Sequence, residues 1–315
     1  MAASATKMSE NQTRDDALVF PHPADRKRSV AWTGNGFNLD GKIVRVLSYQ
    51  VSPSGWTEAL TDLHETAGGS SHFIDVASRA DAVSEIARVG APAAAVVLEI
   101  GCSSGFLMRD LLAQFSQYRI VGADYTYGTL QTLGARLPDV PLLQFDLTDC
   151  PLPNGFADVV VLINVLEHIS DDERAISELF RILRPGGSLI VEVPAGAKLF
   201  DIYDRTLMHH RRYDMPVLVS RMQQAGFVVE RKSHLGFLLY PAFYIGKRLN
   251  QLRYGLAASF DAEAIVAKQI TSTHRSIPVF NLVMAIEQAL RQWVYLPVGI
   301  RCLVTCRKPA TASSC

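Results

Sequence analysis

The sequence predicts a doubly wound α/β fold, with a mostly parallel seven-stranded sheet, an antiparallel strand at its edge and a C-terminal helical insertion. Three observations carry this expectation. Short runs of β-branched residues alternate with helical stretches between residues 93 and 194, a glycine-containing loop joins the first run to the first helix, and two late runs follow the parallel series.

The first 55 residues read as an irregular or flexible segment, with one strand possible at IVRVLSY (43–49), and residues 56–92 as N-terminal helices. Phe73, Val76, Ala77, Ala80, Val83 and Ile86 recur at the spacing of an amphipathic helix over 73–89. Residues 93–237 hold the core. AAAVVLEI (93–100), RIVGAD (119–124), PLLQFD (141–146), ADVVVLIN (157–164) and SLIVEVP (188–194) have the length and continuous hydrophobicity of strands buried on both faces. Helices are expected at GFLMRDLLAQF (105–115) and at DDERAISELFRIL (171–183), which opens on acidic residues and closes at Arg-Pro-Gly-Gly. PVLVSRMQQAGF (216–227) is a helix with a glycine stop, and VVERKSHLGF (228–237) a strand. Residues 238–298 read as a helical cap interrupted near STHRSIP, residues 299–308 as the final strand, and 309–315 as a tail.

At 315 residues and 48% hydrophobic, the chain can bury a sizeable core. Its 31 Lys and Arg balance 31 Asp and Glu, so no overall field gathers nucleic acid or an anionic membrane. Five scattered cysteines (Cys102, Cys150, Cys302, Cys306, Cys315) lack metal-ligand spacing and read as reduced thiols of a cytoplasmic protein. The N-terminal MAASATKMSENQTRDD has no apolar stretch of the secretory kind. No transmembrane helix is expected: GFLLYPAFYIG (236–246) is short, and VFNLVMAIEQALRQWVYLPVGI (279–300) contains Glu287, Arg291 and Pro297.

The chemistry concentrates at strand ends. In VLEIGCSSGFLMRDL (97–111) the backbone turns where the first strand meets the first helix, offering Glu99, Gly101, Cys102, Ser103, Ser104 and Gly105. A dinucleotide dehydrogenase would want G-x-G-x-x-G there to cradle a pyrophosphate. This loop instead has G-x-x-x-G preceded by a carboxylate, which suits a ligand with an ammonium group and no phosphate. Asp124 ends the second strand, nineteen residues beyond Gly105, where an acid can accept from ribose hydroxyls. Asp146 ends the third, able to accept from an adenine amino group while Leu147 packs on the ring.

Taken together these residues resemble the class I S-adenosylmethionine-dependent methyltransferases, a Rossmann-like family. The family's first motif, acid-x-G-x-G-x-G, stands here as Glu99, Gly101, Ser103 and Gly105, with serine at the middle glycine. The likeness continues through Asp124, Asp146, NVLEHI (164–169) and LRPGGSLIVEVP (183–194), covering roughly residues 95–235. It implies S-adenosyl-L-methionine as cofactor, S-adenosyl-L-homocysteine as product, and a donor pocket formed by Glu99, Gly101, Cys102, Ser103, Gly105, Asp124, Tyr125, Asp146, Leu147 and Asn164, lined also by Glu167. Cys102 reads as a small filler, since no base accompanies it in the loop.

LMHHRRYDM (207–215) follows the fifth core strand and lies over the ligand-binding edge. A subset of the family carries G-H-Y-R-R-Y here; this chain has Met208 for the glycine and His210 for the first tyrosine. A nucleic-acid patch is disfavoured by Asp201, Asp204 and Asp214, which offset the charge. A metal is not expected, because the adjacent His209 and His210 would point apart. An ion-pair network pinning the loop and an active-site wall remain, and the two are compatible. On the second reading His210, Arg211, Arg212 and Tyr213 bind the acceptor. The catalytic candidates are His209, His168 and Tyr213, with His209 favoured to take the acceptor's proton.

In the insertion, YPAFYIGKRLNQLRYG (240–255) places apolar residues beside Lys247, Arg248 and Arg253, as in a helix touching a membrane surface or capping an acceptor pocket. The stripe Val279, Val283, Ile286, Leu290, Trp293 and Val294 reads as core packing. The functional expectation is methyl transfer to a small-molecule acceptor, at an oxygen of a natural product, sugar or lipid intermediate. The alternatives are a non-catalytic binding or scaffold protein and a nicotinamide-dependent oxidoreductase. The latter lacks both its glycine motif and a Tyr-x-x-x-Lys pair.

Overall fold

In the computed structural model, which describes residues 18–49, 72–254, 277–290 and 293–310, one eight-stranded sheet organises the chain. Two N-terminal hairpins come first: β1 (Val19–His22) with β2 (Asp25–Ala31), and β3 (Phe37–Leu39) with β4 (Lys42–Val44). β5 (Val46–Ser48) then enters the main sheet. Helix α1 (Phe73–Val89) precedes the core series of β6 (Val96–Ile100), α2 (Phe106–Gln114), β7 (Arg119–Asp124), α3 (Tyr127–Arg136), β8 (Leu142–Gln144), β9 (Ala157–Ile163), α4 (Asp172–Ile182) and β10 (Leu183–Pro194). The chain continues with α5 (Ile202–Thr206), α6 (Met215–Gln224), β11 (Val228–Leu235), α7 (Tyr240–Tyr254), α8 (Ile277–Leu290) and β12 (Arg301–Arg307).

The strand order is β11-β12-β10-β9-β6-β7-β8-β5, and only β12 runs against its neighbours. The reversed strand therefore sits one place in from the edge. Alternate side chains of each central strand feed two cores, as the strand period of two requires. Leu98, Ile100, Val160, Leu162 and Val191 pack under α4 and α6. Val97, Val159, Val161 and Ile190 pack under α1, α2 and α3.

The sheet has eight strands where the sequence predicts seven, because β5 adds itself parallel to β8. Residues 18–49, expected to be irregular, are built from short strands that bury Phe20, Phe37, Leu47 and Tyr49; Phe20 sits 5.3 Å from the Phe37 ring and 5.6 Å from Phe156. Such strands are hard to see in a sequence: β2 reads DRKRSVA and buries only Val30. The expected loose tail at 1–17, helices at 56–71, the break near 272–276 and the last residues 311–315 lie outside the described residues.

Helix α1 matches the expected bounds and ends at Gly90, with φ +63°. Its inward face is partly polar. Glu85 accepts from Arg231 at 2.6 Å and from the Thr305 hydroxyl at 2.7 Å, while Arg301 donates to Asp75, Ser78 and Glu192. Helix α8 corrects its expectation. The predicted core stripe faces outward, with Val279 and Ile286 exposed, as are Trp293 and Val294 just beyond the helix, whereas Phe280, Met284 and Glu287 turn in. Glu287 is the reason for this orientation: buried, it accepts from the N–H groups of Gly236 at 2.6 Å and Leu238 at 3.0 Å. Lys247 of α7 likewise points into the protein. Among the described residues no helix is long and apolar enough to cross a membrane, and Cys102, Cys150, Cys302 and Cys306 are free thiols.

Gly299 opens the return into β12. A Cβ there would stand 2.6 Å from the Leu235 carbonyl oxygen and 2.8 Å from His234 Cβ. Gly299→Ala is expected to cost about 1–3 kcal/mol in urea unfolding, without changing secondary-structure content by circular dichroism.

Candidate active site

The carboxyl ends of β6 to β10 open into one cavity of about 970 Å³, roofed by the start of α1, the segment through His209 and His210, and α7. Its first half is built on tight backbone. Gly101, Ser103 and Gly105 all have positive φ, and the N–H groups of Gly101 and Cys102 both reach the Ala123 carbonyl, folding the loop over the end of β7. A Cβ on Gly101 would overlap Val165, so glycine is required there on two counts. Ser103, the departure from the family motif, accepts the left-handed conformation and donates its N–H to Asp124 Oδ2 at 2.9 Å.

Asp124 Oδ1 accepts from the N–H and hydroxyl of Thr126, and Asp146 Oδ1 does the same for Thr148. Both carboxylates are thus held rigidly at the cavity wall with acceptor capacity to spare. Asn164, left-handed at φ +53°, is fixed by its N–H to the Glu192 carbonyl. Its Oδ1, like Tyr125 Oη, is buried without a hydrogen-bond partner among the described residues. Buried polar atoms of this kind are normally satisfied; on a cavity wall they leave bonding capacity that a polar ligand can complete.

The second half gathers Glu167, His168, His209 and His210 beside Phe73, Ile74, Tyr203, Leu207 and Phe243. Its geometry depends on Asp204. Asp204 Oδ1 accepts from Arg212 Nη1 at 2.8 Å and lies 3.0 Å from His209 Nδ1; Oδ2 accepts from Lys247 Nζ at 2.8 Å and from the Asp201 N–H at 3.0 Å. Burial alone would raise this carboxyl's pKa, but the His209 hydrogen bond and the charges of Arg212 and Lys247 reverse the shift and hold it far below the usual range. An ionised Asp204 only accepts, so the proton of a neutral His209 sits on Nδ1 and Nε2 carries the lone pair. Burial lowers the His209 pKa despite the Asp204 contact, which favours the neutral ring. Glu167 is fully buried with both oxygens unpartnered among the described residues, and burial pushes its carboxyl up to about 8.

Of the sequence candidates, Gly101, Ser103, Asp124, Tyr125, Asp146, Leu147, Asn164, Glu167, His168, His209, His210 and Arg212 line this cavity. Glu99, Cys102, Gly105, Arg211 and Tyr213 do not. Glu99 and Cys102 are buried behind the loop, and Gly105 starts α2 against Leu133. Tyr213 is corrected as a catalytic and substrate-binding candidate: its buried hydroxyl donates to Asp172 at 2.6 Å, away from the cavity. Arg211 is corrected as well, since it bonds the carbonyls of Ile169 and Ser170 and pairs with Asp172 at 2.9 Å. Arg212 reaches the wall but commits its guanidinium to Asp204 and the Ala195 carbonyl. Sequence reasoning missed Lys247, Phe243, His72 and Arg301, which topology brings from distant segments. A lysine inside an apolar helical run was the available signal for the first.

A family profile described as "Methyltransferase domain" matches residues 98–191, which hold the loop, Asp124, Asp146 and Asn164. That stretch resembles a methyltransferase domain. A relative from Mycolicibacterium smegmatis, named a probable S-adenosylmethionine-dependent methyltransferase, is 38% identical over 136 residues, covering 42% of this chain and 52% of the relative. A trans-aconitate 2-methyltransferase of Acidovorax is 33% identical over 113 residues, covering 36% of this chain and 43% of that one. The chain therefore spans about half the length of the curated relatives it matches. Among solved structures, the [4+2]-cyclase SpnF superposes with a TM-score of 0.56 at 19% identity, covering 83% of this chain and 98% of the cyclase. This likeness shows the fold alone.

Two variants test the electrostatics of this domain. Asp204→Ala leaves Arg212 and Lys247 as buried cations short of a partner and is expected to cost about 3–5 kcal/mol by denaturant unfolding. Glu99 responds to pH. Burial, with repulsion from Asp124 and Asp110, raises its carboxyl well above the usual range, and Oε2 has no partner among the described residues. The folded state then keeps this proton to higher pH than the unfolded chain does, so stability is full below about pH 4 and is lost as pH rises. Glu99→Gln removes that penalty. It is expected to stabilise the unliganded protein by about 1–3 kcal/mol at pH 8 and by less at pH 5, read from thermal unfolding at the two pH values.

Proposed function

We propose that this chain binds S-adenosyl-L-methionine and transfers its methyl group to an oxygen of a small-molecule acceptor. The observation that carries the reading is the cavity in which Gly101, Ser103, Asp124, Asp146 and Asn164 meet at successive strand ends, with Asn164 Oδ1 and Tyr125 Oη buried and unpartnered among the described residues. Those groups fit the donor's parts: Asp124 for the ribose hydroxyls, Asp146 and Leu147 for the adenine, and Asn164 with the glycine loop for the amino acid end. No phosphate-binding element is needed. The donor's activated sulfonium supplies the leaving group.

The acceptor half suits a molecule with an apolar body and a hydroxyl, since Phe73, Ile74, Leu207 and Phe243 flank its polar end. This favours a natural product or lipid-like intermediate over a bare sugar. A curated relative named for methylating trans-aconitate supports a small-molecule acceptor. In the transfer, the acceptor oxygen forms the new bond to the methyl carbon as the S–CH₃ bond breaks, and sulfur keeps that electron pair. His209 Nε2 takes the hydroxyl proton, with Asp204 holding the ring and stabilising its charged form. Rigid placement of both reactants supplies much of the rate.

Calorimetric titration with S-adenosyl-L-methionine and S-adenosyl-L-homocysteine, with NAD as control, tests the donor half. Both adenosyl ligands should bind wild-type protein, NAD should not, and Asp124→Ala should lose about 10–100-fold in affinity, the worth of charge-assisted hydrogen bonds. Folded protein that ignores both adenosyl ligands contradicts the proposal.

A further inference from the structure

Glu167 is the least explained group in the cavity. It is wholly buried, and neither oxygen has a hydrogen-bond partner among the described residues. The arginines whose charges reach it are engaged elsewhere: Arg212 on Asp204 and the Ala195 carbonyl, Arg301 on Glu192, Ser78 and Asp75. Buried polar atoms are normally paired, so this position has bonding capacity that the described residues do not fill.

The surroundings fit a cation. A carboxylate oxygen of Glu167, a ring nitrogen of His168 and a ring nitrogen of His209 all lie within 4.8 Å of one another. Glu167 and His168 share the single turn Leu166–His168, and His209 faces them from the opposite segment, its ring meeting that of His168 edge-on at 4.7 Å. The His210 N–H, bonded to the Glu167 carbonyl at 2.8 Å, ties the two segments together. Asp204 engages His209 Nδ1, leaving Nε2 for coordination, and a carboxylate on the far nitrogen is the usual support of a metal-ligating histidine. Ligands of one ion stand roughly 3–4 Å apart for bonds near 2.0–2.2 Å, so small side-chain rotations would close the set.

We propose that Glu167, His168 and His209 bind one divalent first-row transition-metal ion at the acceptor end of the cavity. Two imidazoles and one carboxylate select such a metal, and three protein ligands leave positions open toward the cavity. The histidine that joins His209 is therefore His168, forty-one residues earlier, not the adjacent His210 weighed in the sequence. The use of the ion rests on the methyl-transfer reading and alters one part of it. His209 becomes a ligand, and the cation acidifies the acceptor hydroxyl by accepting its oxygen lone pair, the proton passing to water.

The test uses chelator-treated full-length protein titrated with Co²⁺, whose visible bands report ligand type, and with Zn²⁺ by calorimetry. S-adenosyl-L-homocysteine binding is measured on the same samples. One equivalent should bind to wild type, with nitrogen and oxygen ligation and no thiolate charge-transfer band. Glu167→Gln and His209→Gln should each weaken binding at least tenfold, and Asp204→Asn should weaken it about 10–100-fold, while adenosyl binding and near-ultraviolet circular dichroism confirm that each variant is folded. Wild-type protein that binds the adenosyl ligand but no metal, or a thiolate-ligated metal that survives Glu167→Gln, overturns this site and leaves the methyl-transfer reading standing. Metal binding without adenosyl binding does the reverse.

Discussion

The buried carboxylate of Asp204 is the constraint on which the site depends. Taking it out of water is tolerable only because Lys247, Arg212, His209 and the Asp201 N–H all reach it. Those partners come from three separate segments, so satisfying one charge locks α5, the following loop and α7 into a single arrangement. The same bonds determine which nitrogen His209 presents to the cavity. Arg211, by contrast, pins the loop from its other side through Asp172, where Tyr213 also ends. Much of the HHRRYD segment is thus concerned with holding His209 and His210 in place.

The donor half obeys a different logic. A parallel sheet brings the carboxyl ends of its strands to one edge, and there the chain uses left-handed residues, Gly101, Ser103, Gly105 and Asn164, to turn sharply while keeping backbone and short polar side chains at the cavity. Asn164 Oδ1 and Tyr125 Oη remain without a hydrogen-bond partner among the described residues. Such a site gives up stability in the unliganded protein and recovers it when a ligand binds only the folded state.

The sheet core was legible because continuous β-branched runs specify strands buried on both faces; the predicted run at 119–124 has the same bounds as β7. Asp124, Asp146 and Asn164 were legible for the same reason, since a strand's end locates its last residue on the ligand edge. Side-chain direction was not. Adjacent residues in HHRRYD fan out to different partners, and nothing in the order of letters says that Tyr213 turns to Asp172 while His209 turns to Asp204. The apolar stripe of α8 was visible, but periodicity cannot say which side of a helix is covered, and the buried Glu287 decided it. Lys247 and Asp204, forty-three residues apart, meet through tertiary packing alone.

The central claim is that one cavity holds the methyl donor against strand ends and aims its sulfur at the Glu167, His168 and His209 cluster. A crystal structure with S-adenosyl-L-homocysteine tests this most directly. The account predicts ribose on Asp124, adenine between Asp146 and Leu147, the amino acid end at Gly101 and Asn164, and the sulfur facing His209 across the acceptor space. An adenosyl ligand bound elsewhere, or bound here with its sulfur turned away from that cluster, would contradict it.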